Sequence, residues 1–290
     1  MNHFSLHTVN EKRHLMLLNM GYSELNANWN WRDVCSPFVR IFYVKSGSAQ
    51  TTINDVKYYL EPGNLYLIPP FSLHHYFCDS EFSLYYIHFY ENAINELSIF
   101  DVLDFPFAIG ATKLDELLVE RLLEINPDIE LEFYDPSIYD NAFTFSKTMS
   151  QSEKLSIELI LENEGILSQL FSRFIGEASE KMITNDCRLS RVFQYIHENL
   201  NKNISIDVLS DIACMSRDHL IRLFKVEFGT TPLQYINSRK IEQAQMSLLT
   251  TNKSVRDIAL DLAIDNISYF NRIFKRKLGM SPSEYRKESV

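Results

Sequence analysis

This chain of 290 residues holds only four cysteines, and none of them makes a CxxC pair. Cys35, Cys78, Cys187 and Cys214 therefore suggest neither a zinc module nor a disulfide framework, and they are read as reduced thiols. No apolar run approaches the roughly 18 residues that a membrane span requires. The opening residues Met1 to His7 lack a basic stretch followed by an apolar one, so no export signal is expected and the chain is read as cytoplasmic. No constellation of nucleophile, base and acid stands out, so no catalytic residue, cofactor or enzymatic role is expected. Positive charge is short overall, with a formal net of −10. Taken alone, that balance argues against a polyanion partner.

The distribution of charge reverses the argument. Residues 181–290 hold 17 Lys and Arg against 12 Asp and Glu, a net of +5, which leaves the first 180 residues at −15. Such asymmetry suggests a polyanion-binding module joined to an acidic one. The hydrophobic share of 46% and charged share of 23% are ordinary for globular protein.

The first third reads as short strands. Phe38–Val44, Ala49–Ile53, Val56–Leu60, Leu65–Ile68 and Phe82–Phe89 are β-branched or aromatic, and Gly47, Asn54-Asp55, Glu61-Pro62-Gly63 and Pro69-Pro70 break them. This pattern predicts an antiparallel barrel or jelly roll. The middle turns helical at Leu114, Leu117, Leu118, Leu122 and Ile125, and after a loop-like stretch over 126–151. A second stripe runs over Leu155, Leu159, Glu162, Ile166, Leu170, Phe171 and Phe174, downstream of Ser152. Two readings of that stripe stand: packing onto the sheet, or a dimer helix. A boundary is placed near Met182 to Asp186, after which Leu189, Val192, Phe193, Ile196 and Leu200 mark one helix face.

The C-terminal part contains one motif twice. Leu223-Phe224-Lys225-Val226-Glu227-Phe228-Gly229-Thr230-Thr231-Pro232 recurs 50 residues later as Ile273-Phe274-Lys275-Arg276-Lys277-Leu278-Gly279-Met280-Ser281-Pro282. Two copies are too few for a solenoid and fit a duplicated helix-turn-helix. Ser216 caps a helix over Arg217–Phe228, and Asp265 is the expected cap of Asn266–Leu278. Arg and Asn on the outer face of such a helix can pair with guanine and adenine edges in a major groove, and Ile can meet a thymine methyl. The expected base readers are Asp218, Ile221 and Arg222 in the first unit and Ile267, Ser268, Asn271 and Arg272 in the second. The expected phosphate contacts are Arg217, Lys225, Arg239, Lys240, Lys275 and Arg276.

These residues, with Tyr235-Ile236-Asn237-Ser238-Arg239-Lys240 and Tyr285-Arg286, resemble the DNA-binding domain of the AraC/XylS family of bacterial transcriptional regulators. The resemblance covers about the last hundred residues. It implies two helix-turn-helix units joined by a rigid helix over about Leu233–Leu249, entering successive major grooves of double-stranded DNA. One departure is Ala263-Ile264, where the family has Gly-Phe; if that turn needs positive φ, Ala is strained there.

The N-terminal part resembles the cupin-like sensor of the same family, through Gly63-x5-Pro69-x-Phe71-x2-His74. Of the metal ligands that catalytic cupins carry only His74 is present, and Arg40 falls at the Glu position, so no metal is expected. In that register Arg40 points inward and needs either a local acid or an anionic or hydroxyl-rich ligand. Trp29, Trp31, Phe42, Tyr86 and His88 are expected to line the same effector cavity, and His75 to face away from His74. The fold class implied is α+β in two domains: a cupin-like antiparallel β-barrel with helices, then an all-α double helix-turn-helix. The division expected is 1–150 for the sensor, 151–183 for a linking or dimerisation region and 184–290 for the DNA-binding domain. The expected partners are DNA, a small-molecule effector such as a sugar or organic acid, a second copy of the chain, and RNA polymerase, with no membrane. Two other readings stand beside it: a ligand-independent regulator whose barrel serves only protein contacts, and a cupin enzyme with an accessory DNA module.

Overall fold

A computed structural model describes residues 14–92, 98–140, 144–145, 155–181 and 184–287. Among these, one compact unit takes in 14–92 and 103–180, and the other 98–102 and 181–287. Ser152, Met182 and Ile183 lie outside the described residues.

The first unit is built from two antiparallel sheets. β1 (His14–Leu25), β8 (Phe82–Asn92), β3 (Val39–Gly47), β6 (Asn64–Ile68) and β10 (Ala108–Gly110) form one, in that spatial order. β2 (Trp31–Val34), β7 (His74–Phe77), β4 (Ala49–Ile53) and β5 (Val56–Leu60) form the other. A two-residue pairing of β9 (Leu103–Asp104) with β11 (Ser179–Glu180) lies apart. The expected barrel is not closed: no strand pairing among the described residues joins the two sheets. Side chains bridge them instead, with Tyr76 of β7 stacked on Trp29 at 4.4 Å and tilted against Phe42 of β3 at 6.0 Å. Gly47 turns the chain from one sheet to the other at φ +70°, and a Cβ there would lie 2.1 Å from the Glu81 carbonyl oxygen.

Strands β1, β2 and β7 escaped the sequence reading. β1 is buried almost continuously from Leu17 to Gly21 and so shows no alternation, while β2 and β7 are four residues each and rich in polar groups. α1 (Ile99–Val102) falls with the other unit. α2 (Lys113–Ile125) starts from a capping box between Thr112 and Asp115. α3 is the short turn Pro136–Tyr139. α4 (Ile157–Glu177) covers the stripe seen in the sequence and belongs to the sheet unit. Its Ile166, Leu170, Phe171 and Phe174 are buried, with Phe171 against Phe89 and Phe105. That packing places residues 157–177 in the same compact unit as the two sheets.

The second unit is helical. α5 (Cys187–Glu198) is followed by α6 (Ile206–Ala213), α7 (Arg217–Phe228), α8 (Pro232–Thr250), α9 (Val255–Asp261), α10 (Ile267–Leu278) and α11 (Pro282–Lys287). Each start carries its own signal: Ser205, Ser216 and Ser254 accept from the third backbone N–H of their helices, and Thr231 forms a capping box with Gln234 ahead of Pro232. Two small cores result. Leu189, Val192, Ile196, Leu209, Leu220 and Phe224 pack with Ile236, and Ile258, Phe270, Ile273 and Phe274 pack with Ile241, Ala244 and Leu248. The long helix α8 thus contributes to both cores, which fixes the two half-units to one rod.

Candidate nucleic-acid interface and effector pocket

The two helix-turn-helix units repeat down to their backbone bonds. α6 ends at Cys214 with φ +51°, where Cys214 N donates to Asp211 O and Met215 N to Ser210 O. α9 ends at Ala263 with φ +49°, where Ala263 N donates to Leu260 O and Ile264 N to Ala259 O, the same bonds 49 residues on. The Ala263 turn therefore has the left-handed geometry that favours glycine, and it is shaped like the first turn rather than differently. The cap of α10 is Asn266, not Asp265: its Oδ1 accepts from Tyr269 N at 3.0 Å, because the tight turn continues one residue further before the helix begins.

On α7, Asp218, Arg222 and Lys225 are exposed and Ile221 is half-buried. Arg222 Nη2 donates to His219 Nδ1 at 3.2 Å. Arg217 is ion-paired with Asp207 of α6, which directs it along the protein surface. On α10, Ile267, Ser268, Asn271, Arg272, Lys275 and Arg276 are all exposed. The Arg272 guanidinium lies over the Tyr269 ring, 5.4 Å from its centroid. Lys225, Lys275 and Arg276 have no ion pair among the described residues, so their charges are open to solvent.

Two of the expected phosphate contacts are engaged elsewhere. Arg239 pairs with Asp101 of α1 at 2.6 Å and with Glu242 at 2.6 Å. Burial alone would push the Asp101 carboxyl up, but Arg239 and the buried His197 hold it below its ordinary value. Lys240 is 4% exposed and donates to the carbonyls of Lys202 at 3.1 Å and Leu262 at 2.5 Å. Burial pushes this ammonium down to about 8. It satisfies a loop carbonyl before α6 and the carbonyl of Leu262, which caps α9, so it ties both half-units to α8. Sequence spacing marked these two as basic but could not show that they face inward.

In the sheet unit a small pocket of about 30 Å³ is lined by Ser23, Trp29, Phe42, Tyr76, Tyr86, His88 and five further residues, including Leu131, Tyr134 and Tyr139. Of the expected effector residues, Trp29, Phe42, Tyr86 and His88 lie on this wall. Trp31, Arg40 and His74 do not. Arg40 is buried behind the wall, where its Nη2 donates to Ser36 Oγ at 2.5 Å and to Tyr139 OH at 3.4 Å. Ser36 in turn donates to Asp140. Burial opposes the Arg40 charge, and Tyr139, Tyr76 and Asp140 outweigh it, so the guanidinium stays a cation. Burial drives Asp140 up to about 6 against the pull of Arg40. His74 is locked between Ser72 O and Tyr76 OH, and burial followed by the Arg40 charge pushes it down to about 3. His88 is pushed down by burial first and then by Arg40 and His74. On the wall, Ser23 Oγ and His88 Nδ1 have no hydrogen-bond partner among the described residues. Tyr86 OH accepts from Leu131 N at 2.8 Å and so ties Leu131 to the pocket wall. Neither Ser23 nor the wall residues Leu131, Tyr134 and Tyr139 were singled out from sequence: they come from strand β1 and from a segment with no periodic signal.

A family model of a helix-turn-helix domain matches residues 209–288, and one of the AraC-like ligand-binding domain matches residues 22–105. The XylDLEGF operon transcriptional activator 2 of Pseudomonas putida is 33% identical over 137 residues, which are 45% of this chain and 87% of that protein. The chain belongs to the AraC/XylS family of transcriptional regulators.

Other AraC/XylS-family relatives agree. The arabinose operon regulatory protein of Escherichia coli K12 is 28% identical over 230 residues, 78% of this chain and 72% of that protein. AdaA of Bacillus subtilis strain 168, a bifunctional transcriptional activator and DNA repair enzyme, is 35% identical over 98 residues, 34% of this chain, and the match spans 46% of that protein. As an AraC-family member this chain is a DNA-binding transcription regulator with an N-terminal ligand-binding domain. A cupin-type metal does not fit that domain. Both His74 nitrogens are already hydrogen-bonded, the positive charge of Arg40 acts on His74, and the described residues hold no cluster of three metal-ligating side chains.

Proposed function

We propose that this regulator reads its operator with Asp218, Ile221 and Arg222 of α7 and with Ile267, Ser268, Asn271 and Arg272 of α10. Lys225, Lys275 and Arg276 anchor phosphates, with Arg217 contributing if DNA displaces Asp207. The single observation that carries this reading is the matched exposure of Arg222 and Arg272 on helices that share caps, turns and cores. Arg239 and Lys240 are left out, since both cations are spent inside the helical unit.

The sensor pocket takes an uncharged, hydroxylated ring rather than an organic acid. Aromatic faces and two polar atoms without a hydrogen-bond partner among the described residues, Ser23 Oγ and His88 Nδ1, form its wall, while the buried Arg40 guanidinium lies behind it and is linked to Asp140 through Ser36. At about 30 Å³ the pocket is far smaller than the roughly 300 Å³ or more of a ligand cleft, so such a ligand requires the wall at Leu131 and Tyr134 to move outward. The small volume also favours a second reading, in which the domain serves only protein contacts. Calorimetry of the full chain against neutral sugars and small carboxylates separates the two. Binding of a neutral ring, lost in Ser23→Val and His88→Phe, supports the first, and no binding by any compound supports the second.

The chain acts as a regulator and not an enzyme, in the cytoplasm, on double-stranded DNA, with RNA polymerase as a further partner. It works as a homodimer. Ile157, Ile160 and Leu161 support this, since they remain exposed along α4 after its other face is buried. Sedimentation of Leu161→Glu beside wild type checks it: a wild-type monomer at micromolar concentration refutes the dimer.

A further inference from the structure

The duplication places a ring three residues before each exposed arginine: His219 before Arg222, and Tyr269 before Arg272. Residues so spaced share one face of a helix. In both helices the ring-bearing residue is also the one whose backbone N–H donates to the cap, Ser216 in one and Asn266 in the other. Its backbone is therefore pinned before the arginine is placed. We propose that His219 and Tyr269 are positioning residues that hold Arg222 and Arg272 ready for base contact, and that Tyr269 is itself tethered to the linking helix by Asn237. The proposal rests on the reading that these arginines contact bases.

The two rings do this differently. A guanidinium offers only donors, so His219 Nδ1 must carry a lone pair to accept from Arg222 Nη2 at 3.2 Å. Arg272 lies over the Tyr269 ring at 5.4 Å, within cation–π reach. The Tyr269 hydroxyl accepts from Asn237 Nδ2 at 2.8 Å, and Asn237 is 9% exposed on α8. His219 has no second ring hydrogen bond among the described residues. The second arginine is thus preset through a chain from α8, while the first follows its own helix. A free arginine side chain loses rotamer entropy when it docks on a base, and holding it beforehand lowers that cost.

The test uses the full chain and a randomised duplex library, sequencing what is retained to obtain base preference at each position. Affinity for a random-sequence duplex and the circular-dichroism melting curve are measured alongside. Arg272→Ala identifies the position that Arg272 reads. At that same position Tyr269→Leu is expected to lower base discrimination about 2- to 5-fold, the range of an exposed cation–π contact. Preference at the Arg222 position and affinity for random duplex stay unchanged. Tyr269→Phe keeps the ring, loses only the Asn237 tether, and retains most of the preference. His219→Leu has the matching effect at the Arg222 position. If Arg272→Ala erases a preference that Tyr269→Leu leaves intact, base reading stands and positioning is overturned. A Tyr269→Leu loss spread over all sequences, with a lowered melting point, makes the ring merely structural and also overturns it. If neither arginine substitution, nor the wild type, shows a preferred base, the base-reading assignment fails and the proposal with it.

Discussion

Replacing Ala263 by glycine should stabilise the helical unit. Ala263 closes α9 at φ +49°, where an L-residue costs roughly 1–2 kcal/mol. Glycine removes that strain but gives the unfolded chain more freedom, which costs about 0.4–1 kcal/mol. The difference of the two midpoints leaves a net gain of roughly 0.8 kcal/mol. The bonds from Ala263 N and Ile264 N remain possible, since both use the backbone alone. The opposite substitution supplies the control. Gly279 caps α10 at φ +79°, and a Cβ there would meet nothing within 4 Å, so Gly279→Ala adds strain without a clash. Its strain of about 1–2 kcal/mol is offset by the roughly 0.4–1 kcal/mol that alanine gains through a less free unfolded chain, so the net cost should be roughly 0.8 kcal/mol. Thermal melting followed by circular dichroism at a helix wavelength reads both, with Ala263→Gly raising the midpoint of the helical transition by about 2–6 °C. An unchanged or lowered midpoint for Ala263→Gly, beside a loss for Gly279→Ala, would show that the second turn is not held in the left-handed region. The whole comparison of the two turns would then fall.

Four further outcomes are expected. Arg222→Ala and Arg272→Ala should each cost about 1–3 kcal/mol on the best site, whereas Lys275→Ala should weaken all sequences alike and lower the salt slope by about one, as titrations across a salt series would show. Asp101→Asn should destabilise the helical unit by roughly 1–3 kcal/mol, less than a fully broken buried pair because Glu242 still faces Arg239, and urea melting measures it. Because the folded-state value of Asp101 lies below its unfolded one, that contribution is present above about pH 4 and is lost on acidification through the folded value. In the sensor, His74 and His88 are depressed, so the unfolded chain takes up protons first and stability falls as pH drops through about 6.5, by roughly 1.4 kcal/mol per unit per group. Asp140, raised to about 6, works the other way between about 4 and 6, so two groups oppose one and acid should still destabilise. Melting from pH 7 to 5 checks the sign, and a sensor that gains stability over that range refutes it.

Much of the DNA-binding half was legible because its signals are local. Ser216, the Phe-Lys pairs, Gly229 with Gly279, and Pro232 with Pro282 each specify a cap, a core position or a stop within a few residues, and the repeat shows that they do so twice. The α7 boundaries agree with the sequence reading to the residue, and those of α10 differ by one at the cap. The sensor was legible only as a set of strands. β1 alternates too little to be seen, and the pocket wall draws on Ser23, Leu131 and Tyr139, which no pattern links.

The sequence by itself determined the family, the duplicated reading units, the apolar stripe of α4 and the missing metal ligands, since all of these depend on residue type at short spacing. Only the tertiary structure decided what the buried charges do. Arg239 meets Asp101 across 138 residues, and Ser36, which accepts from Arg40, reaches Asp140 across 104. No local pattern encodes a partner so far away, yet a buried ion is tolerated only with such a partner, so the fold chose which cations stay on the surface and which hold the protein together.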